Sequence, residues 1–577
     1  MKSLQQFFKE MRAALHIAFQ TFSKKHKIIM SALLLLMIIG ALGIIAGIHK
    51  KITVVLPAPG GTYTEGIIGS PRFINPVLAR SEVDRDLVRL VYSGLMRREG
   101  SELVLDLAET LDISQDGKVY TFTLKDNLFF HDRRSLDATD VLFTIQKIQD
   151  VRTESPLFAS WRGVDVTLVD NLTIQFTLSE SYAGFLENTT VGILPAHIWQ
   201  DLSYEQFNFS ERNLKAIGSG PYTIKSIKRS KSGTPEAIHL QAFRRFALGR
   251  PYISTFIVKL YTQNEDMVRA FDKGEIQALH NISPALYQTL SYDKKHTRYT
   301  APLPRVFGMY VNANRQAIFL DTQIMRAFDI ALNREAMIQY VFNGFASSTQ
   351  NPFPVTMLGH IPYDSQGLTK ETRIEQASAL LDRAGWRINT ETGIRQKDGT
   401  PLSFSLATSN VPELVAIAEM MQERMSDIGV TMTLQLFEPG NLEQDIIRPR
   451  NYEALLFGQF FQHDSDIYAF WHSSFRNDPG LNIGLFADNE ADRALTTALR
   501  TVDTEARERA YQTFLRRFNE RPTALFLYNP HTVSLLTSNI QGVRFEALST
   551  NADRFNNIHE WFIEEQRIWK FLTRYRN

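Results

Sequence analysis

Leu107-Ala108-Glu109-Thr110-Leu111-Asp112-Ile113-Ser114-Gln115-Asp116-Gly117-Lys118-Val119-Tyr120-Thr121-Phe122-Thr123-Leu124-Lys125 is the stretch on which the fold reading turns. Tyr120, Phe122 and Leu124 alternate with polar or small residues at period two, and Gln115-Asp116-Gly117 carries turn chemistry, so a β-hairpin is expected. Beyond it, Asp137 stands three residues before Asp140 and ahead of Val141-Leu142-Phe143 and Ile145. That spacing predicts a helix whose first free N–H groups are accepted by Asp137, in the manner of a capping box. A second hairpin is predicted over Val166-Thr167-Leu168-Val169 and Thr173-Ile174-Gln175-Phe176-Thr177-Leu178, turning at Asp170-Asn171.

Farther on, strand and helix patterns alternate. Leu402 to Ala407 reads as a strand, and Pro412 to Asp427 as a helix with Leu414, Ile417, Met421 and Met425 on one face. After Gly429, Val430-Thr431-Met432-Thr433-Leu434 is a second strand, completing a βαβ unit that implies a partly parallel sheet. Single helices are also expected over Met325 to Tyr340 and Ile374 to Ala384, the latter stopped by Gly385. The body is therefore of the α/β class.

The 577 residues carry 63 basic and 62 acidic side chains, a balance that argues against a dedicated nucleic-acid binder. A chain of this length needs more than one core, since single cores stop growing at about 250–300 residues. With no cysteine there is no disulfide, thiolate metal site, thiol nucleophile or lipid-bearing cysteine.

Near-neutrality hides an asymmetry. Ile28 to Ile48 is an uncharged run of 21 residues. As a helix it spans roughly 31 Å, the thickness of a bilayer's hydrocarbon core. Lys2, Lys9, Arg12, Lys24, Lys25 and Lys27 precede it against the single acid Glu10, which puts the N-terminus on the cytoplasmic side. The run is longer than a signal-peptide core and is followed by Ile48-His49-Lys50-Lys51, so an uncleaved single-pass anchor is expected. Phe8, Met11, Leu15, Phe19 and Phe22 recur at helical steps; they read either as an amphipathic helix on the inner leaflet or as a helix continuing into the span. Outside residues 1–51 the balance is 55 basic to 61 acidic, a mildly acidic extracytoplasmic body.

Sequence signatures of catalysis are missing: there is no Gly-x-Ser-x-Gly elbow, no His-Glu-x-x-His pair and no Gly-x-x-x-x-Gly-Lys phosphate loop. Neither enzymatic activity nor a cofactor is expected.

In this order the segments resemble the extracellular solute-binding proteins of family 5, the peptide- and nickel-binding group that serves ABC importers. Asn75-Pro76, Tyr92-Ser93-Gly94-Leu95, the hairpin and helix through Phe130-His131-Asp132 and Asp140-Val141, and Leu194-Pro195-Ala196-His197-Ile198-Trp199 carry the likeness. So do Gly218-Ser219-Gly220-Pro221-Tyr222, Phe271 to Ile276, Met325 to Glu335 and Leu380 to Gly385. Two departures stand out: Arg133 where a glycine usually follows the His-Asp pair, and Gln277 where an aspartate usually closes the Gly-Glu-Ile motif.

The resemblance implies a two-lobed, three-domain periplasmic-binding-protein-like fold of type II behind an N-terminal transmembrane helix. On that template residues 1–27 are cytoplasmic, 28–48 transmembrane, 52–96, 183–301 and 529–577 domain I with the C-terminal helix, 97–182 an inserted domain II, and 302–528 the second lobe. Crossings between lobes are expected near Pro302 to Tyr310 and Leu525 to Pro530. The implied function is capture of a peptide or small solute between hinged lobes and delivery to the transmembrane subunits of an ABC permease.

Peptide-binding relatives anchor the ligand's α-amino group on the carboxylate of a Trp-x-x-Asp motif. Aligned on Gly458, the tryptophan position falls on Gln459 and the aspartate position on Gln462, so the usual anchor is missing. Asp464 or Asp466 can supply the carboxylate, or can cap a helix starting near Ile467. His463, Asp464 and His472, with Asp466, are alternative metal ligands. Phe461 and Trp471, with Phe460 and Tyr468, line side-chain pockets or pack the core; Tyr310, Asn482, Tyr92 and Ser219 complete the candidate cleft by family position. A receptor that senses without transporting, or a binder of metal chelates, remains an alternative to a peptide importer.

Overall fold

The computed structural model describes residues 6, 10, 23–100, 102–290, 295–363, 367–461, 463, 465–545 and 548–569. The expected amphipathic helix through Phe8 and Phe22, and the candidates Gln462 and Asp464, lie outside these residues. The chain forms two compact units, Met1–Ala58 with Glu564–Asn577, and Pro59–Ile563.

In chain order the strands are β1 (Thr53–Ala58), β2 (Gly60–Ile68), β3 (Met96–Glu99), β4 (Glu102–Leu105), β5 (Ala108–Ile113), β6 (Val119–Leu124), β7 (Val164–Leu168) and β8 (Thr173–Leu178). Then come β9 (Tyr222–Arg229), β10 (Pro235–Ala242), β11 (Ile253–Tyr261), β12 (Ala278–Ile282), β13 (His296–Pro302), β14 (Arg305–Val311) and β15 (Ala346–Ser348). The rest of the chain adds β16 (Arg387–Ile388), β17 (Arg395–Lys397), β18 (Thr400–Pro401), β19 (Ser403–Ser409), β20 (Thr431–Phe437), β21 (Ala454–Phe460), β22 (Ala524–Thr537) and β23 (Glu564–Trp569).

The smaller unit holds the helix Lys24–Ile52, which carries the apolar run; its span Lys24–Ile44 has a mean hydropathy of 2.4 and no buried part, a composition and length that would cross a membrane. The helix passes directly into β1, which pairs antiparallel with β23 from Thr53 opposite Trp569 to Ala58 opposite Glu564.

In the larger unit both predicted hairpins form and join as one sheet, β5-β6-β8-β7. The helix Ala138–Gln149 opens on the expected box: Asp137 accepts from the Thr139 N–H at 2.9 Å and Asp140 accepts from the Asp137 N–H at 3.1 Å. Arg133 has φ +75°, the left-handed region where a glycine is unstrained, which accounts physically for the glycine expected there.

The main sheet has twelve strands, ordered β20-β19-β21-β14-β22-β12-β2-β11-β10-β9, with β13 and β15 also on β22. The βαβ unit is present, β19 lying parallel to both β20 and β21 around the helix Pro412–Asp427. Strand β22 is fourteen residues long; its Ala524–Tyr528 part pairs with β14 and its His531–Thr537 part with β13. One core packs Tyr63, Tyr92, Tyr120, Trp161 and Trp561; two others flank β14 and β21, around Met309, Phe328 and Leu456 on one face and Tyr310, Phe461 and Trp471 on the other.

One helix expectation is corrected. Met325 to Tyr340 is two helices, Thr322–Ala331 and Arg334–Phe342, because Leu332 turns extended and the Asn333 side chain accepts the Ala336 N–H at 3.1 Å to start the second. Arg334 is fully buried at that corner, paired with Asp329 and donating Nε to the carbonyls of Thr349 and Phe526 at 3.1 and 2.8 Å. A buried guanidinium needs these partners, and the break provides them.

Candidate functional site

Strands β14, β21 and β22 present one face on which alternate residues share an environment. Tyr310 of β14 is fully buried and stacks on Trp471 of the helix Asp466–Trp471, with ring centroids 6.1 Å apart at 26°; Phe526 of β22 meets its edge at 6.4 Å. Neither the Tyr310 hydroxyl nor the Trp471 indole nitrogen has a partner among the described residues. Burial pushes the Tyr310 phenol well above its ordinary range, so it is a neutral donor at all working pH.

Gln459 shares that face of β21 with Leu455 and Phe461, opposite Val306 of β14. It is 3% exposed, and both its carboxamide nitrogen and oxygen are unpartnered. Leaving such a group unsatisfied costs about 1–3 kcal/mol, so this position offers a donor and an acceptor to an incoming polar group. The identity of Gln459 in the binding motif was visible in the sequence; its unpaired state is visible only in three dimensions. Gly458 points the other way, where an added Cβ would lie 2.6 Å from the Phe307 ring, itself stacked on Tyr528 at 4.8 Å and 3°. Its smallness thus serves a close ring contact.

Phe461 is core, edge-on to Phe470 at 4.9 Å, while Phe460 receives the Arg305 guanidinium at 5.0 Å from its ring. Asp466 is the first residue of its helix and accepts the His463 N–H at 3.0 Å, a bond to the segment just before the helix. Asn482 is fully buried and spends its amide within its own loop, on the carbonyls of Trp471, His472 and Phe486 and the Phe486 N–H. That side chain fastens the loop beneath Trp471.

The two histidines offered as metal ligands turn to separate partners. His463 pairs through Nδ1 with Glu187, while His472 bonds Ser474 Oγ at 2.8 Å and lies 4.0 Å from Asp492. Among the described residues no cluster of three metal-ligating side chains occurs.

Tyr92 and Ser219 meet elsewhere, in the first core. The Gly220 N–H donates to the Val91 carbonyl at 2.8 Å, and Gly192 and Gly218 leave room for the Tyr92 side chain: an added Cβ would lie 2.5 Å from its Cβ at Gly192 and 2.8 Å from its ring at Gly218. Both hydroxyls are buried and unpartnered among the described residues. The candidates therefore form two groups, Tyr92 with Ser219, and Tyr310, Trp471, Phe461 and Gln459.

The mixed sheet, whose two parts share one long strand, is the α/β fold of periplasmic solute-binding proteins. The profile of bacterial extracellular solute-binding proteins, family 5 Middle, matches residues 102–480, and the chain belongs to that family. It is a solute-binding protein and not an enzyme. It is 26% identical to the oligopeptide-binding protein AppA of Bacillus subtilis over 523 residues, 88% of this chain and 92% of AppA. The structure of AppA with a nonapeptide superposes with a TM-score of 0.61 at 24% identity, covering 88% of this chain and all of that one. NikZ of Campylobacter jejuni, solved with Ni(L-His), gives a TM-score of 0.63 at 24% identity over 87% of this chain and 99% of NikZ.

Proposed function

We propose that this protein is the membrane-anchored, extracytoplasmic binding subunit of an ABC importer, closing two hinged lobes over a peptide and passing it to the permease. In this reading residues 28–48 are the single anchor with the N-terminus in the cytoplasm, and the chain passes between lobes at Pro302 to Tyr310 and at Leu525 to Pro530. The likeness to an oligopeptide-binding protein over 88% of this chain supports the peptide class. The observation that carries the site is Gln459, whose buried donor and acceptor match the C=O and N–H of a peptide backbone.

Thermal denaturation with pools of di- to nonapeptides tests this. A bound peptide at a hundredfold excess over its Kd should stabilise the protein by about 2.7 kcal/mol. Gln459→Leu should raise the stability of the free protein by about 1 kcal/mol while weakening the peptide-induced shift, because the leucine relieves the unsatisfied amide and removes the contact. A chain unmoved by every peptide is not a peptide binder. The second reading, a nickel–amino acid chelate, is favoured by the NikZ likeness together with Gln462 in place of an anchoring carboxylate. Stabilisation by Ni(II) with L-histidine and by no peptide would select it.

A further inference from the structure

A seam of contacts joins residues that are far apart in sequence within the larger unit. The Ala183 N–H donates to the Leu499 carbonyl at 2.8 Å, Ser181 bonds the Arg500 carbonyl, and Tyr182 and Ser465 share a hydroxyl–hydroxyl bond of 2.7 Å. Arg500 reaches Glu180 at 2.7 Å, but that pair is more than half exposed and contributes little. One charged group in the seam is shielded. Glu187, only 10% exposed, is held by Arg98 of β3 at 3.0 Å on one oxygen and by the His463 ring on the other.

We propose that His463 is a proton-operated latch: protonated and seated on Glu187, it holds the segment from 463 to 500 against residues 98 to 187, and on losing its proton it lets the seam part. The proposal rests on the hinged-cleft reading above, because parting the seam is what opening such a cleft requires.

The charges around the ring are Glu187 from the short helix Phe185–Asn188, Asp466 from the helix that follows it, and Arg98 from β3. Burial works against the imidazolium, but the bond to Glu187 and the two carboxylates outweigh it and raise the ring above its ordinary pKa. Burial likewise opposes the Glu187 carboxylate, and His463 with Arg98 hold it below its ordinary range. Once the seam parts, the ring returns to about 6.5 and the carboxyl to about 4.3. The histidine contribution to closure is therefore complete below about pH 6.5 and is lost as pH rises through the raised value; the glutamate contribution is present above about pH 4.3 and is lost as pH falls through the lowered one. Closure is strongest in the mildly acidic window between them. Each unit by which the ring pKa differs between the two states is a tenfold change in the closing constant.

Because the chain contains no cysteine, two can be introduced for spin labels without background. Exposed Glu109 belongs to the stretch 98 to 187 and exposed Thr497 to the stretch 463 to 500. In the full chain, held in lipid nanodiscs, the ratio of short to long inter-label distances should fall as pH rises from about 5.5 to about 8.5, tenfold for each unit by which the ring pKa differs between the closed and open states. His463→Gln and Glu187→Gln should each remove that slope and keep the ratio at its alkaline level. Two populations whose ratio ignores pH, or a His463→Gln protein that keeps the slope, would overturn the latch alone. A single distance at every pH, unmoved by a pool of tri- to nonapeptides, would overturn the hinged reading as well.

Discussion

Asp106 shows what one buried side chain does to stability. It sits between β4 and β5, 5% exposed, with one carboxylate oxygen unpartnered, and burial pushes its carboxyl up to about 6 although Arg97, Lys125 and Arg89 pull the other way. In the unfolded chain the group titrates near 3.9, so the folded state favours the neutral acid. Its contribution to stability is intact below about pH 4 and is lost as pH rises through about 6. Asp106→Asn should therefore raise stability by about 2 kcal/mol more at pH 8 than at pH 4.5, measured by urea unfolding at the two pH values. Chain order cannot reveal such a group, since Asp106 looks like any loop acid until its neighbours close over it.

Elements were the most legible scale. Hairpin, capping box and βαβ unit are local patterns whose determinants lie within a few residues, so period and turn chemistry suffice to read them. The break at Leu332-Asn333 was not legible, because its cause is distant: Arg334 needs the carbonyls of Thr349 and Phe526, and the apolar period runs on through the corner. Asn333→Ala, which removes the cap of the second helix, should cost about 1 kcal/mol in thermal or urea unfolding. The same contrast holds for the candidate site. Family motifs brought Tyr310, Trp471 and Phe461 to one sheet face, whereas the pairing of His463 with Glu187 and the orphaned amide of Gln459 come from residues that meet only on folding.

At the scale of the molecule, the larger unit is fastened by a charge cluster between its first and last segments. Arg554 is fully buried; it bonds Asp86 at 2.9 and 2.7 Å and Glu65 at 3.1 and 2.6 Å, while Glu65 also takes the Tyr63 hydroxyl at 2.7 Å and lies 3.2 Å from His280. Arg554→Met would strand two buried carboxylates and should cost about 3–5 kcal/mol. The loss should be larger at pH 8 than at pH 5, where the stranded acids can protonate, and chemical unfolding at both pH values checks it.

The ribbon of β1 and β23 sets an order in time. Among the described residues β1 has β23 as its sole partner, so the first strand made must wait for the last. With synthesis at 5–20 residues per second, that interval is on the order of a minute. For that minute β1 is an open edge, and Pro57 within it denies a backbone donor to any stray strand that would dock there. The ribbon thus closes only on a chain translated through to Trp569, after every residue of the larger unit has been made.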